Sequence, residues 1–297
     1  MAKRIKLKKA AYNRFSIFDF VNYILMFALM ASVIVPFMHI ISVSVSHNDF
    51  VVRHQVSLLP KGFTLNTYIN VIKNGEFVTA YCNTILYTLL HTVLSLMVTA
   101  MGAYALARRK IVGHGVFSLM ITITMFFGGG MIPTYMAVSD YGLINTRWAM
   151  VIPSLISTWN LIVMRSFFVA YPQEIVESGE IDGLQEAGVF FRLVLPTSKA
   201  ALATIGLYYA VAAWNAYMPA RLYLRDETLY PVQHYLRQLL AQNSRLEELE
   251  GGDSSVKLVA DSIRYASIMI ATIPIMCVYP FIQKYFVKGV MVGSIKG

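Results

Sequence analysis

The chain has 297 residues, of which 57% are hydrophobic and only 14% are charged, and its mean hydropathy is +0.56. This composition excludes an ordinary soluble protein and indicates an integral membrane protein. Lys and Arg number 25 against 16 Asp and Glu, so the formal net charge is +9. The two cysteines, Cys82 and Cys277, both lie in long apolar runs, which argues against a disulfide framework and against a metal site.

Apolar runs long enough to cross a bilayer occur six times along the sequence. A hydrocarbon core of about 30 Å needs about 20 apolar residues as a helix. The runs are approximately 18–45, 80–107, 115–138, 147–165, 199–221 and 263–286. The sequence therefore predicts an all-α integral membrane protein with six transmembrane helices. The predicted parts are a basic tail at 1–17, a transmembrane domain at 18–286 with an inner loop at 166–198 and an outer loop at 222–262, and a C-terminal tail at 287–297.

The distribution of charge predicts the orientation of these spans. Fifteen of the 25 basic residues fall on the side that carries both chain ends, and short basic segments stay in the cytoplasm. Both termini are therefore predicted to be cytoplasmic. The outer segments contain ten basic and ten acidic residues, so the whole net charge lies inside. We interpret it as an orientation signal that also suits anionic membrane lipid, and we expect no nucleic-acid partner.

The chemistry that the spans lack limits the function. No carboxylate lies in the interior of any predicted span, which disfavours proton or sodium coupling. An ion-coupled or facilitative sugar carrier remains the main alternative, and a membrane enzyme such as a lipid-linked sugar transferase is a third. The sequence has no phosphate-binding P-loop, no H-E-x-x-H and no G-x-S-x-G. We therefore predict a non-catalytic chain without catalytic residues or a bound cofactor.

Two features within the predicted spans could line a translocation path. Four polar or amphipathic side chains have the appropriate chemistry, namely Asn83, Asn160, Trp214 and Asn215. Contacts between helices are the alternative interpretation for each. The run from Phe127 to Pro133 contains three consecutive glycines and predicts a kink or unwound turn packed against a neighbouring helix. A broken helix lining a path is the alternative.

The segment 171–186 differs from every other predicted cytoplasmic segment, because it contains five of the six cytoplasmic acids. Pro172 is placed to start a short helix, and Gly183 is suited to its exit. Asp182 is predicted to cap a second helix, which Pro196 would end before the fifth span. The pattern indicates a helix-turn-helix that projects into the cytoplasm and is suited to binding another protein.

At this segment the sequence resembles the permeases of binding-protein-dependent ABC importers, whose signature is Glu-Ala-Ala, three residues, Gly, nine residues and Ile-x-Leu-Pro. The matching and substituted positions are Glu177, Ser178, Gly179, Asp182, Gly183, Leu193, Leu195 and Pro196. Here Ser178-Gly179 replaces the two alanines and Leu193 replaces isoleucine. The stretches 83–84, 102–108, 142–148 and 288–297 resemble the carbohydrate branch, second-permease type, as in the maltose importer. The segments 126–135 and 230–233 resemble the subgroup for alginate and other complex oligosaccharides.

The resemblance implies a type I ABC importer permease fold in the bacterial inner membrane. It implies a homologous second permease, two ATPase subunits that bind ATP and Mg²⁺, an extracytoplasmic binding protein and a saccharide substrate. Glu177 would contact the ATPase and Gly183 would permit the turn. The loop 222–262 would approach the binding protein, and the C-terminal tail with Gly289, Gly293 and Gly297 would reach toward the ATPase subunits.

Overall fold

The computed structural model describes residues 17–108, 112–248 and 262–278, together with Pro280. These residues form helices without a named strand, and a single antiparallel bridge joins Ser46 and Phe63. The predicted all-α class is confirmed. Residues 1–16 of the predicted basic tail, residues 249–261 of the predicted outer loop and the predicted C-terminal tail 287–297 lie outside the described residues.

The helices follow one another in chain order with short connections. They are α1 Ile17–Ser44, α2 Asn48–Val52, α3 Asn66–Lys73, α4 Gly75–Ala107, α5 His114–Phe126, α6 Met131–Asp140, α7 Thr158–Val169, α8 Gln173–Ile181, α9 Glu186–Thr197, α10 Lys199–Trp214, α11 Met218–Tyr223, α12 Val232–Glu248 and α13 Ser262–Val278. Two short 3₁₀ segments, Arg147–Met150 and Glu227–Leu229, precede α7 and α12.

Helix α4 is the centre of the packed body. Its 33 residues pack chiefly against α10 and α7. Small residues on α4, Ala100 and Ala103, let these helices approach closely, as is usual between helices in a membrane. The Tyr209 hydroxyl of α10 lies 2.7 Å from Thr99 Oγ1 of α4 and accepts the backbone N–H of Ser157 at 3.0 Å. These bonds satisfy the polar groups at the contact and fix α10 against α4 and the start of α7.

Helix α1 stands apart from this body over most of its length. It has 28 residues with high apolar content, and its apolar window is entirely exposed in the isolated chain. Its C-terminal end is held, where His39 Nδ1 lies 2.8 Å from Ser57 O, Ser42 Oγ donates to Leu58 O at 2.7 Å and Ser44 Oγ lies 2.8 Å from the Tyr68 hydroxyl. Such a helix is suited to contact lipid or another apolar surface along its length.

Several predicted spans are not single straight helices. Within the described residues, α1 and α4 alone have sufficient length and apolar content to cross a membrane unaided, and the number rises to four if two bent pairs each count as one span. The predicted span 115–138 is divided where a kink or unwound turn was predicted, because 127–130 is non-helical and α5 and α6 meet at 114°. The six-span count remains a prediction.

The predicted fourth and fifth spans are also divided. In the fourth, residues 151–157 are irregular and α7 begins only at Thr158. In the fifth, α10 ends at Trp214 rather than continuing to 221, and α11 begins only at Met218; an 82° bend separates α10 from the preceding α9. Hydropathy reports which residues avoid water but does not report the direction of the backbone, and this explains the error.

The glycine run between α5 and α6 is unwound as predicted, with Gly130 at φ +84°. The expected packing against a neighbouring helix is absent among the described residues. A Cβ added at Gly128 or Gly130 would meet no atom within 4 Å. Helix α5 likewise has no buried residue. This bend therefore lies on the surface of the isolated chain.

Candidate functional site

The acidic segment forms a hairpin of two helices, α8 and α9, which we call the α8–α9 hairpin. The turn between them is fixed by Gly183, whose φ is +84°. Gly183 N donates to Glu180 O at 3.1 Å and Leu184 N donates to Gly179 O at 2.9 Å. This pair of bonds is the Schellman pattern that ends a helix at a left-handed glycine. The predicted helix-turn-helix is confirmed.

Two details of the hairpin differ from the prediction. Asp182 ends α8 and does not cap α9, whose N-cap is Gln185 without a side-chain bond. Pro196 does not end α9, which continues to Thr197. The residues before it, Phe190–Val194, form a π-helical segment. A wider turn accommodates a proline that can neither donate to the preceding turn nor fit against it in an α-helix.

The inner face of the hairpin belongs to the main core of the protein. Val176, Val189, Phe190 and Val194 are buried together with Met164 of α7 and with residues of α4 and α10. A movement of the hairpin would therefore be transmitted directly to the helices of the body, since packed cores deform little.

The departure from the Ala-Ala signature has a packing explanation. A Cβ at Gly179 would meet Leu193 Cδ1 at 2.6 Å, which is closer than such contacts occur. Leu193 thus occupies the space that an alanine methyl at 179 would need. Gly179 therefore leaves room for Leu193 in its present conformation, and α8 forms despite the low helix propensity of glycine.

The outer face of the hairpin carries the exposed polar and apolar side chains. Glu177, Ser178 and Asp182 are exposed, and Ile181 is 86% exposed. Among the other predicted signature positions, Gly179 is buried, Leu195 is half-buried and Pro196 is exposed. This face therefore offers carboxylates and an exposed isoleucine to any partner protein that reaches it.

Arg108, directly after α4, joins the hairpin to the transmembrane body. Its Nη2 donates to Glu180 Oε1 of α8 at 2.6 Å and to Glu186 Oε1 of α9 at 2.7 Å. The Tyr104 hydroxyl donates to Glu186 Oε2 at 3.1 Å. Burial disfavours the charged form of Arg108, but the bonds to Glu186 and Glu180 outweigh it and raise its pKa. Sequence reasoning missed this bridge, whose one signal was a basic residue directly after an apolar helix.

A cavity of about 670 Å³ lies between α4, α7, α10 and α11, and we call it the polar cavity. Its wall includes the polar and aromatic residues His91, Ser154, Ser157, Trp159, Asn160, Tyr208, Tyr209, Asn215 and Tyr217. His91 Nε2 lies 3.1 Å from both Ser154 O and Ser154 Oγ. The size and the mixed lining fall within the range of small-molecule sites.

The four predicted path residues separate into two pairs. Asn160 and Asn215 line the polar cavity. Asn83 Nδ2 instead donates to Thr228 O at 2.7 Å, which fixes the segment before α12. Trp214 is buried and its Nε1 donates to Ala271 O of α13 at 3.0 Å. The aromatic residues of the wall, Trp159, Tyr208 and Tyr217, were not predicted, because their distances along the chain conceal their common position.

The hairpin turn permits a direct test of its backbone. We expect Gly183→Ala to destabilise the turn by about 1–2 kcal/mol, because a left-handed φ is unfavourable for a residue with a Cβ. Hydrogen exchange of the backbone amides at positions 183 and 184 in the purified protein should accelerate accordingly. The control is Gly188→Ala in α9, where the new Cβ meets Leu184 side-chain atoms at 3.4 and 3.6 Å and φ is not positive. Equal amide exchange rates in the two variants would contradict the assignment of Gly183 as the left-handed residue that fixes the turn.

Comparison with known proteins identifies the chain's relatives. No family model matches it. It is 38% identical over 284 residues, covering 95% of this chain and 99% of the relative, to the polygalacturonan/rhamnogalacturonan transport system permease protein YtcP of Bacillus subtilis. It is 39% identical over 285 residues, covering 95% of both chains, to protein LplC of the same organism.

A more distant relative and a solved structure also match the chain. An arabinooligosaccharide transport permease, AraQ of Halalkalibacterium halodurans, is 26% identical and covers 91% of this chain and 94% of its own. A crystal structure of a bacterial ABC transporter involved in the import of the acidic polysaccharide alginate matches with a TM-score of 0.83 and 32% identity, covering 92% of this chain and 99% of that chain. The chain therefore belongs to the non-catalytic, membrane-embedded permease subunits of ABC carbohydrate importers.

Proposed function

We propose that this chain forms half of the translocation pathway of an ATP-driven importer for oligosaccharide or polysaccharide of the alginate or pectin type. The importer would lie in the bacterial inner membrane. A homologous second permease would form the other half, two ATPase subunits would bind ATP and Mg²⁺, and an extracytoplasmic protein would deliver the saccharide. The chain itself would bind neither nucleotide nor metal.

The observation that carries this proposal is the two-sided construction of the α8–α9 hairpin. Its outer face exposes Glu177 and Ile181, while its inner face is continuous with the core of α4, α7 and α10. An ATPase subunit that binds the outer face could therefore move the body helices. The polar cavity lies against the same three helices and would open or close with them.

The saccharide class is supported by the relatives and by the cavity wall. The curated relatives are named for polygalacturonan, rhamnogalacturonan and arabinooligosaccharide transport, and the matching structure for alginate import. The wall combines amide side chains at Asn160 and Asn215 with the exposed aromatic rings of Trp159 and Tyr208. Amides can hydrogen-bond hydroxyl groups, and aromatic rings offer flat apolar surface to a sugar ring.

Docking is tested by reversing a charge on the outer face. We expect Glu177→Lys to weaken copurification of the ATPase subunits and to lower substrate-stimulated ATP hydrolysis by about tenfold, the effect of losing about 1.4 kcal/mol of binding. Glu227→Lys, an equally exposed change in the predicted outer loop, is the control and should leave both unchanged. Undiminished ATPase association in Glu177→Lys would refute docking through this face.

A further inference from the structure

One end of the polar cavity is bordered by a cluster of basic and aromatic side chains, which we call the arginine–tyrosine cluster. It consists of Tyr217, which lines the cavity, with Arg221, Tyr230, His234 and Arg237. Arg221 Nη1 donates to the Tyr217 hydroxyl at 3.0 Å. The guanidinium carbon of Arg237 lies 5.2 Å from the centroid of the same ring. Two cations therefore surround one residue of the cavity wall.

Among the residues whose side chains the structure describes, no carboxylate forms an ion pair with Arg221 or Arg237. Asp226, the acid that follows the same short helix, accepts bonds from Thr228 N and Oγ1 instead, which lowers its pKa. Both arginines are exposed. Their charge is therefore available to an anion.

His234 adds a buried polar group to the cluster. Its side chain is 8% exposed, its ring stacks on Tyr217 at 5.7 Å between centroids, and its Nδ1 has no hydrogen-bond partner among the described residues. Burial lowers the pKa of His234 and the charge of Arg221 lowers it further, so the imidazole is neutral near pH 7. A buried nitrogen without a protein partner is uncommon and calls for a ligand or water to meet it.

We propose that the arginine–tyrosine cluster binds a carboxylate of an acidic saccharide as it enters the polar cavity. Arginine presents a planar fork of donors that matches a carboxylate, and such charge-assisted bonds are about twice as strong as neutral ones. The tyrosine rings would contact the sugar face next to that carboxylate. The cluster would thus favour uronate-containing chains over neutral ones. This inference rests on the proposed function, since it assigns the substrate class to the same path.

The test measures direct binding to the complete importer complex of permeases and ATPase subunits, purified without its binding protein. The probes are trigalacturonate and trimannuronate, each beside its methyl ester, in equilibrium titration. We expect the wild type to bind at least one acid more tightly than its ester. Arg221→Gln and Arg237→Gln should each weaken that binding about tenfold, the effect of losing one charge-assisted bond, and should leave ester binding unchanged. Arg225→Gln, an exposed arginine in the same loop, is the matched control and should change neither.

Three results would overturn the proposal. The first is equal wild-type affinity for acids and esters. The second is behaviour of both cluster variants like that of Arg225→Gln. The third is that the cluster variants lose the second permease or no longer associate with the binding protein, while each complex that does assemble binds saccharide normally. That result would make the cluster a contact between proteins. A separate measurement tests the proposed function itself. If the complex does not import saccharides, the wild type will show no saccharide-stimulated ATP hydrolysis with any binding protein encoded near its own gene.

Discussion

Arg108→Gln is expected to separate ATP hydrolysis from transport. The arginine is the residue that ties α4 to both helices of the α8–α9 hairpin, through Glu180 and Glu186. Hydrogen bonds to charged groups contribute about 1.5–3 kcal/mol each. The carboxylates are 36% and 57% exposed, and solvent reduces that contribution, so a total loss of about 2 kcal/mol is reasonable. We expect uptake into proteoliposomes to fall by more than tenfold, while the ATPase subunits remain bound and hydrolyse ATP at their basal rate.

The conservative and control variants define the role of Arg108 as positioning. Arg108→Lys should restore part of the uptake, because it keeps the positive charge between the two carboxylates, but its ammonium lies on a flexible stem that reaches one bond less far than Nη2. Arg192→Gln removes an exposed arginine from α9 and should leave the ratio of ATP hydrolysed to substrate transported unchanged. If Arg108→Gln and Arg192→Gln give the same ratio, the bridge plays no part in coupling.

Ala213→Trp is expected to abolish uptake without disturbing assembly. Ala213 lies in the wall of the polar cavity, and an indole at that position would occupy space between α7 and α10. Ala210→Trp is the matched control, because Ala210 lies on the same helix but lines a separate, apolar cavity with Pro274 of α13. We expect uptake to fall by more than tenfold in Ala213→Trp alone, as measured with labelled saccharide in proteoliposomes. Normal uptake in Ala213→Trp would place the path elsewhere.

The sequence predicted well what depends on neighbouring residues. The α8–α9 hairpin follows from a spacing of a few residues, and Gly183 has the positive φ that its position requires. The spacing of Val232 and Leu236, four residues apart, likewise matches the helix α12. In each case local periodicity or turn chemistry determines the structure.

What the sequence did not reveal depends on contacts between distant segments. Arg108 is 72 residues from Glu180 and 78 from Glu186, and no local pattern links them. The glycine run predicted a kink or unwound turn in 115–138 but not its angle, which is 114°. Trp214 was a candidate for lining a path or for a contact between helices, and the structure shows the contact, since its indole N–H donates to Ala271 O of α13. Tertiary packing decides which face of a helix meets a cavity, and apolar content alone cannot.

The most direct test of the coupling role is a cross-link between the α8–α9 hairpin and an ATPase subunit. Ile181→Cys places a thiol on the 86% exposed end of α8 in a variant whose Cys82 and Cys277 are replaced by serine. In the assembled importer, a short cross-linker that carries a maleimide and an amine-reactive ester should join this cysteine to a lysine of an ATPase subunit, and the yield should change when ATP is bound. A complex that assembles fully but gives no adduct at 181, with or without ATP, would contradict the account.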